Sequence, residues 1–92
     1  MKSVEAEKRG YDFICVKGSV EEHVEVKGVR GKVPSFIITA GEVRQAHCDS
    51  KFIICIVTSS LSKNPKMFRY TGKEFAANFR LSPLAYKAIF QP

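Results

Sequence analysis

The order of apolar patterns along this chain predicts an α/β domain built around a mixed sheet. Two β-like segments, 11–16 and 23–28, come first and are separated by the turn signal Lys17-Gly18-Ser19. A helix signal begins at Thr39, and the unbroken apolar, β-branched run KFIICIVT follows at 51–58. Strand, strand, helix, strand is the order of an α/β unit. With 92 residues, 45% of them hydrophobic, the chain can bury one core, so residues 1–92 are expected to form one domain.

Residues 1–9 are mostly polar and are expected to be a short helical remnant or a frayed end. Segment 23–28, HVEVKG, alternates polar and apolar residues as a half-buried strand does, and pairs with 11–16 as a hairpin. VRGKVPS, 29–35, reads as a loop, and 36–38 as a short strand or a lead-in. Thr39 with Glu42 three positions later makes a capping box, opening a helix to about Cys48. The run at 51–58 is expected to be a central strand buried on both faces. Beyond a polar loop come a strand near 67–70, a short helix over 71–79 and a last strand on which Leu84, Tyr86, Ala88 and Phe90 alternate.

Composition excludes several classes. The longest wholly apolar run, 52–57, is far short of the roughly 20 residues that cross a bilayer, and the charged start MKSVEAEKRG is no signal peptide. No membrane partner is expected. Three cysteines with no CxxC spacing suit free thiols in a reducing compartment, hence a cytoplasmic location. The net charge of +6 is lopsided. Basic and acidic residues cancel over 1–50, whereas 51–92 holds Lys51, Lys63, Lys66, Arg69, Lys73, Arg80 and Lys87 against Glu74 alone. A one-sided basic field predicts a nucleic-acid partner.

Asp12, Glu25 and Lys27 carry the candidate chemistry. The composition predicts about one acid-x-lysine triplet by chance, and the chain holds two, Glu25-Val26-Lys27 and Asp49-Ser50-Lys51. Glu25 and Lys27 share one strand face. A turn about Gly18-Ser19 pairs Lys17 with Val20 and sets Asp12 opposite Glu25. The core is then expected on the opposite face, with Phe13, Cys15, Val24 and Val26. Two carboxylates with a backbone carbonyl, that of Val26, and waters suit Mg²⁺ or Mn²⁺. A bound metal polarises phosphate and acidifies water, and a nearby lysine orients that water. His23 lies on the same strand face, Glu42 and Gln45 on the following helix; these three are supporting candidates. Arg30, Lys32, Lys63, Lys66 and Arg69 are the candidates for nucleic-acid contact.

The segments Gly10-Tyr11-Asp12-Phe13-Ile14 and Val24-Glu25-Val26-Lys27-Gly28 resemble the hairpin of the PD-(D/E)XK nuclease superfamily. The closer resemblance is to the domain at the C-terminus of the plant protein NO VEIN, also found in many prokaryotic proteins. Thr39 with Glu42 and Ala46, the strand 52–57, and the stretches 65–69 and 83–87 extend the likeness over roughly 10–90. The resemblance implies a restriction-endonuclease-like fold, with one main flanking helix and a truncated N-terminal helix. It implies Asp12 and Glu25 as metal ligands and Lys27 as the catalytic lysine of a DNA-cleaving phosphodiesterase. Glu5 or Glu7 is the candidate for the acid that the superfamily's first helix sometimes carries. The shortened helix leaves one sheet face thinly covered, so a homodimer or docking onto a larger ATPase or restriction-type protein is expected. The alternative is a catalytically inactive module of the same fold serving nucleic-acid binding or protein assembly.

Overall fold

The computed structural model describes residues 2–3, by their backbone, and 11–91. Its elements are β1 (Lys2–Ser3), β2 (Phe13–Lys17), β3 (Val20–Gly28), α1 (Ala40–Cys48), β4 (Phe52–Thr58), β5 (Lys66–Thr71) and α2 (Gly72–Asn78). The strands form one mixed sheet in the order β1-β2-β3-β4-β5. All neighbours are antiparallel except β3 and β4, which run parallel across the crossover that contains α1. No helix of the described residues is long and apolar enough to cross a membrane.

The β2–β3 hairpin has the expected register, Lys17 opposite Val20 and Phe13 opposite Val24. Gly18 turns the chain at φ 64°. A first central residue with positive φ is the requirement of a type II′ turn, whose twist matches that of the flanking strands. The capping box at α1 also forms. Thr39 Oγ1 accepts the Glu42 N–H at 3.1 Å, and Glu42 Oε1 accepts the Thr39 N–H at 2.9 Å. Thr71 and Glu74 repeat that box at α2. As expected, β4 is buried on both faces, with Ile54 and Ile56 on one side and Ile53 on the other.

Three expectations are corrected. The core does not lie opposite Glu25 but on the same face. Tyr11, Phe52, Ile54, Ile56 and Phe75 form it, joined by Ile14, Val29, Phe36, Ile38, Ala46, Tyr70 and Phe79. The parallel register sets Ile54 beside Glu25 and Ile56 beside Lys27, and both helices pack on that side. On the other face Val24 and Ile53 are buried, while Phe13 and Cys15 are half-exposed and Val26 is 40% exposed.

The second correction is at the N-terminus, where Lys2 and Ser3 pair with Ile14 and Phe13 as an edge strand rather than a helical remnant. The rest of 1–9, including Glu5 and Glu7, lies outside the described residues. The third is at the other end, where 83–90 forms no strand. After α2 the chain leaves the edge of β5, and Arg80 to Leu84 run beside 35–38, bounding a groove of about 410 Å³. The segment 36–38 is likewise a lead-in and not a strand, with Phe36 and Ile38 turned into the core.

The two helices meet where α2 begins. A Cβ built on Gly72 would sit well inside van der Waals contact with the Ala46 carbonyl of α1. That backbone oxygen cannot yield without moving the helix. Gly72→Ala is therefore expected to destabilise the protein by about 1–3 kcal/mol, the range of overpacked cores. Urea unfolding checks this, and an unchanged midpoint would show that the helices are not in close contact.

Candidate metal centre and basic rim

Glu25 occupies the middle of β3, flanked by β2 and β4, and is 3% exposed. Its Oε1 is buried with no hydrogen-bond partner, while its Oε2 stands 3.4 Å from Lys27 Nζ. Lys27 lies two residues on along the same face. Its ammonium donates to Glu42 Oε1 at 2.9 Å. Glu42 reaches this place because the capping box folds the first turn of α1 onto the sheet. One carboxylate oxygen thus serves both the helix cap and the lysine.

These contacts set the protonation. Burial, then the neighbouring carboxylates of Glu42 and Asp12, push Glu25 up to about 8, against the downward pull of Lys27. For Glu42 burial acts upward, but the Thr39 N–H and the Lys27 ammonium outweigh it and hold the carboxyl below its ordinary value. Burial likewise opposes the charge on Lys27, and the two glutamates overcome it, raising the ammonium. The centre is a lysine clasped between two acids, one ionised and one kept largely protonated near neutral pH.

Asp12 does join this group, although not by pairing with Glu25. The β2–β3 ladder ends at Phe13, one residue short of Asp12. There the Asp12 N–H donates to the Val24 carbonyl at 2.9 Å, and Asp12 Oδ2 accepts the Val26 N–H at 3.1 Å. The N–H and C=O of a strand residue point to the same side, so the Val26 carbonyl is directed toward the Asp12 edge as well. Among the described residues no three Asp, Glu, His or Cys side chains form a ready cage for a metal. The donors left to a candidate site are the Asp12 and Glu25 carboxyls and the Val26 carbonyl. A hard divalent cation that keeps several waters suits such a set, and the unpartnered Glu25 oxygen is the buried atom most in need of one.

The supporting candidates divide. Glu42 belongs to the centre. His23 does not reach it: its Nδ1 lies 2.5 Å from Asp49 Oδ2 and its Nε2 2.6 Å from Glu21 Oε2, so both nitrogens are engaged. Burial opposes its charge, yet these carboxylates prevail and raise the imidazole above its ordinary pKa. Gln45 points the same way, donating to Asp49 Oδ2 at 2.7 Å. Sequence reasoning passed over Asp49 as the background acid-x-lysine triplet. Its place just beyond α1, one turn after Gln45, was the signal that it faces the sheet.

The basic candidates also divide. The loops after β3 and β4 are held together, with the Val29 N–H on the Val57 carbonyl and the Ser59 N–H on Gly31. This brings Arg30, Lys32 and Lys63, all exposed, to the end of the sheet where Lys27 lies. Lys66, opposite Thr58, joins them. Arg69 is elsewhere: it pairs with Cys55 in the ladder and is bridged to Glu22.

The family model described as Protein NO VEIN, C-terminal, matches residues 1–70. No curated protein and no solved structure gives a match. The matched segment holds β1 to β4, β5 as far as Tyr70, the candidate metal-centre residues and the basic rim, and stops before α2.

Proposed function

We propose, for a chain that belongs to the family of the protein NO VEIN C-terminal domain, that it is a metal-dependent nuclease domain hydrolysing phosphodiester bonds of DNA. The observation that carries this reading is Glu25, a buried carboxylate with an unpartnered oxygen beside Asp12 and the Lys27 ammonium. On this reading the restriction-endonuclease-like fold and the PD-(D/E)XK resemblance follow from the same hairpin.

Asp12, Glu25 and the Val26 carbonyl would hold Mg²⁺ or Mn²⁺, which supplies Lewis-acid polarisation of a phosphate oxygen and a more acidic bound water. Lys27 orients the attacking water and offsets charge developing on the phosphate. Glu42 keeps that ammonium in place and charged. Arg30, Lys32, Lys63 and Lys66 neutralise the phosphates flanking the scissile one, without reading bases. Three free thiols suit the cytoplasm, and docking to a larger ATPase or restriction-type protein, or pairing with a second copy, suits the thinly covered sheet face.

Supercoiled plasmid is expected to be nicked with Mn²⁺ or Mg²⁺ and left intact with EDTA. Binding should weaken about a hundredfold between 50 and 200 mM salt if four rim cations contact phosphate. Salt-sensitive binding with no nicking would overturn the nuclease reading in favour of an inactive nucleic-acid-binding module. The hold of Glu42 and Glu25 on the Lys27 ammonium is the feature that favours that second reading.

A further inference from the structure

We propose that His23 and Asp49 form a positioning pin that seats α1 on the sheet and thereby holds Glu42 on Lys27. The geometry joins three elements at one point. Asp49, directly after α1, accepts from the His23 ring at 2.5 Å and from Gln45 at 2.7 Å, and its other oxygen accepts the Lys51 N–H at 2.9 Å. The His23 N–H of β3 donates to the Lys51 carbonyl at 2.9 Å. The imidazole is fixed further by Glu21 on its far nitrogen and by the Tyr11 ring, stacked at 4.5 Å and 8°. His23 and Asp49 side chains are only 14% and 12% exposed.

A pin is needed here because the apolar anchor of α1 is slight, with Ala46 packed on the core as a partly buried residue. None of its nine residues is fully buried. A helix with a weak apolar stripe can slide or roll on a sheet, and a buried polar pair is a recognised means of fixing register. Two polar contacts tie α1 to β3, Glu42 on Lys27 and Asp49 on His23. Their spacings agree: four residues of strand span about 13 Å, and seven residues of helix about 10.5 Å. The helix therefore lies along the strand, held near each end. With the His23–Asp49 end cut, the Glu42–Lys27 contact alone ties α1 to β3, and that contact loosens.

The catalytic consequence rests on the nuclease reading, but the pin does not. Its test uses the metal-free chain without DNA and follows the Lys27 ammonium by ¹⁵N NMR. In the wild type its protons should exchange slowly, and Glu42→Gln marks the signature of a lost contact. Asp49→Ala is expected to speed that exchange about tenfold, the loss of roughly one charged hydrogen bond, although Asp49 touches neither Lys27 nor Glu42. Ile53→Val, on the opposite sheet face, should weaken the fold and leave the ammonium unchanged. If Asp49→Ala does not fold, His23→Gln is read in its place. A Lys27 signal in the pin variant indistinguishable from wild type overturns the proposal, as does fast exchange in the wild type itself. Failure to cleave plasmid would bear on the nuclease reading alone.

Discussion

Replacing Glu25 with glutamine is expected to stabilise the protein at pH 8 and to abolish metal binding. The carboxyl is raised from its ordinary 4.5 to about 8 by burial and by the Glu42 and Asp12 carboxylates. A raised acid favours the folded state only while protonated. Its contribution is complete below pH 4.5 and is lost as pH climbs toward 8, at up to 1.4 kcal/mol per pH unit. Over that window the loss is on the order of 4 kcal/mol.

Glutamine is neutral throughout, so thermal melts of Glu25→Gln and wild type should nearly coincide near pH 4. They should separate as pH rises, the variant melting higher at pH 8 by about 4–8 °C for each kcal/mol lost by the wild type. Calorimetry should show Mn²⁺ binding to wild type strengthening about tenfold per pH unit below 8, as the cation displaces the proton. The variant should show none. A variant less stable than wild type at pH 8 would mean that the buried carboxylate is not under strain.

Lys27→Met should have the opposite effect on stability and a larger one on chemistry. It leaves the ionised Glu42 carboxylate beside the Glu25 carboxyl without the ammonium that lies 2.9 Å from the first and 3.4 Å from the second. Stranding a buried charge in this way costs about 3–5 kcal/mol, even where the hydrophobic stem is kept. Nicking should fall by at least a hundredfold, the usual scale for losing an electrostatic group at a reacting centre. DNA affinity should change little, because Arg30, Lys32, Lys63 and Lys66 stand on separate loops and β5. Gel retardation beside the nicking assay separates the two effects. Retained cleavage would remove Lys27 from the reaction.

Local features were legible in the chain because their causes are local. A glycine turn between two alternating segments sets the hairpin register, and with it the shared face of Glu25 and Lys27. Threonine three residues before glutamate closes a capping box. What that box delivers was not legible: the Glu42 carboxylate meets Lys27 only because the start of α1 seats beside that part of β3. The tail 83–90 alternates as a strand does, yet alternation cannot supply a neighbouring edge, and α2 carries the chain away from the one at β5.

Sequence by itself thus determined the α/β order, the hairpin, both helix starts and the central strand buried on both sides, each dictated by near neighbours. Tertiary structure alone decided which face is the core. Strand β4 is apolar on both sides, so its pattern does not say where the crossover helix lands. It lands over Glu25, and that choice turns an exposed acid into a buried one. It also joins His23 to Asp49 across 26 positions, a pairing that no local periodicity encodes.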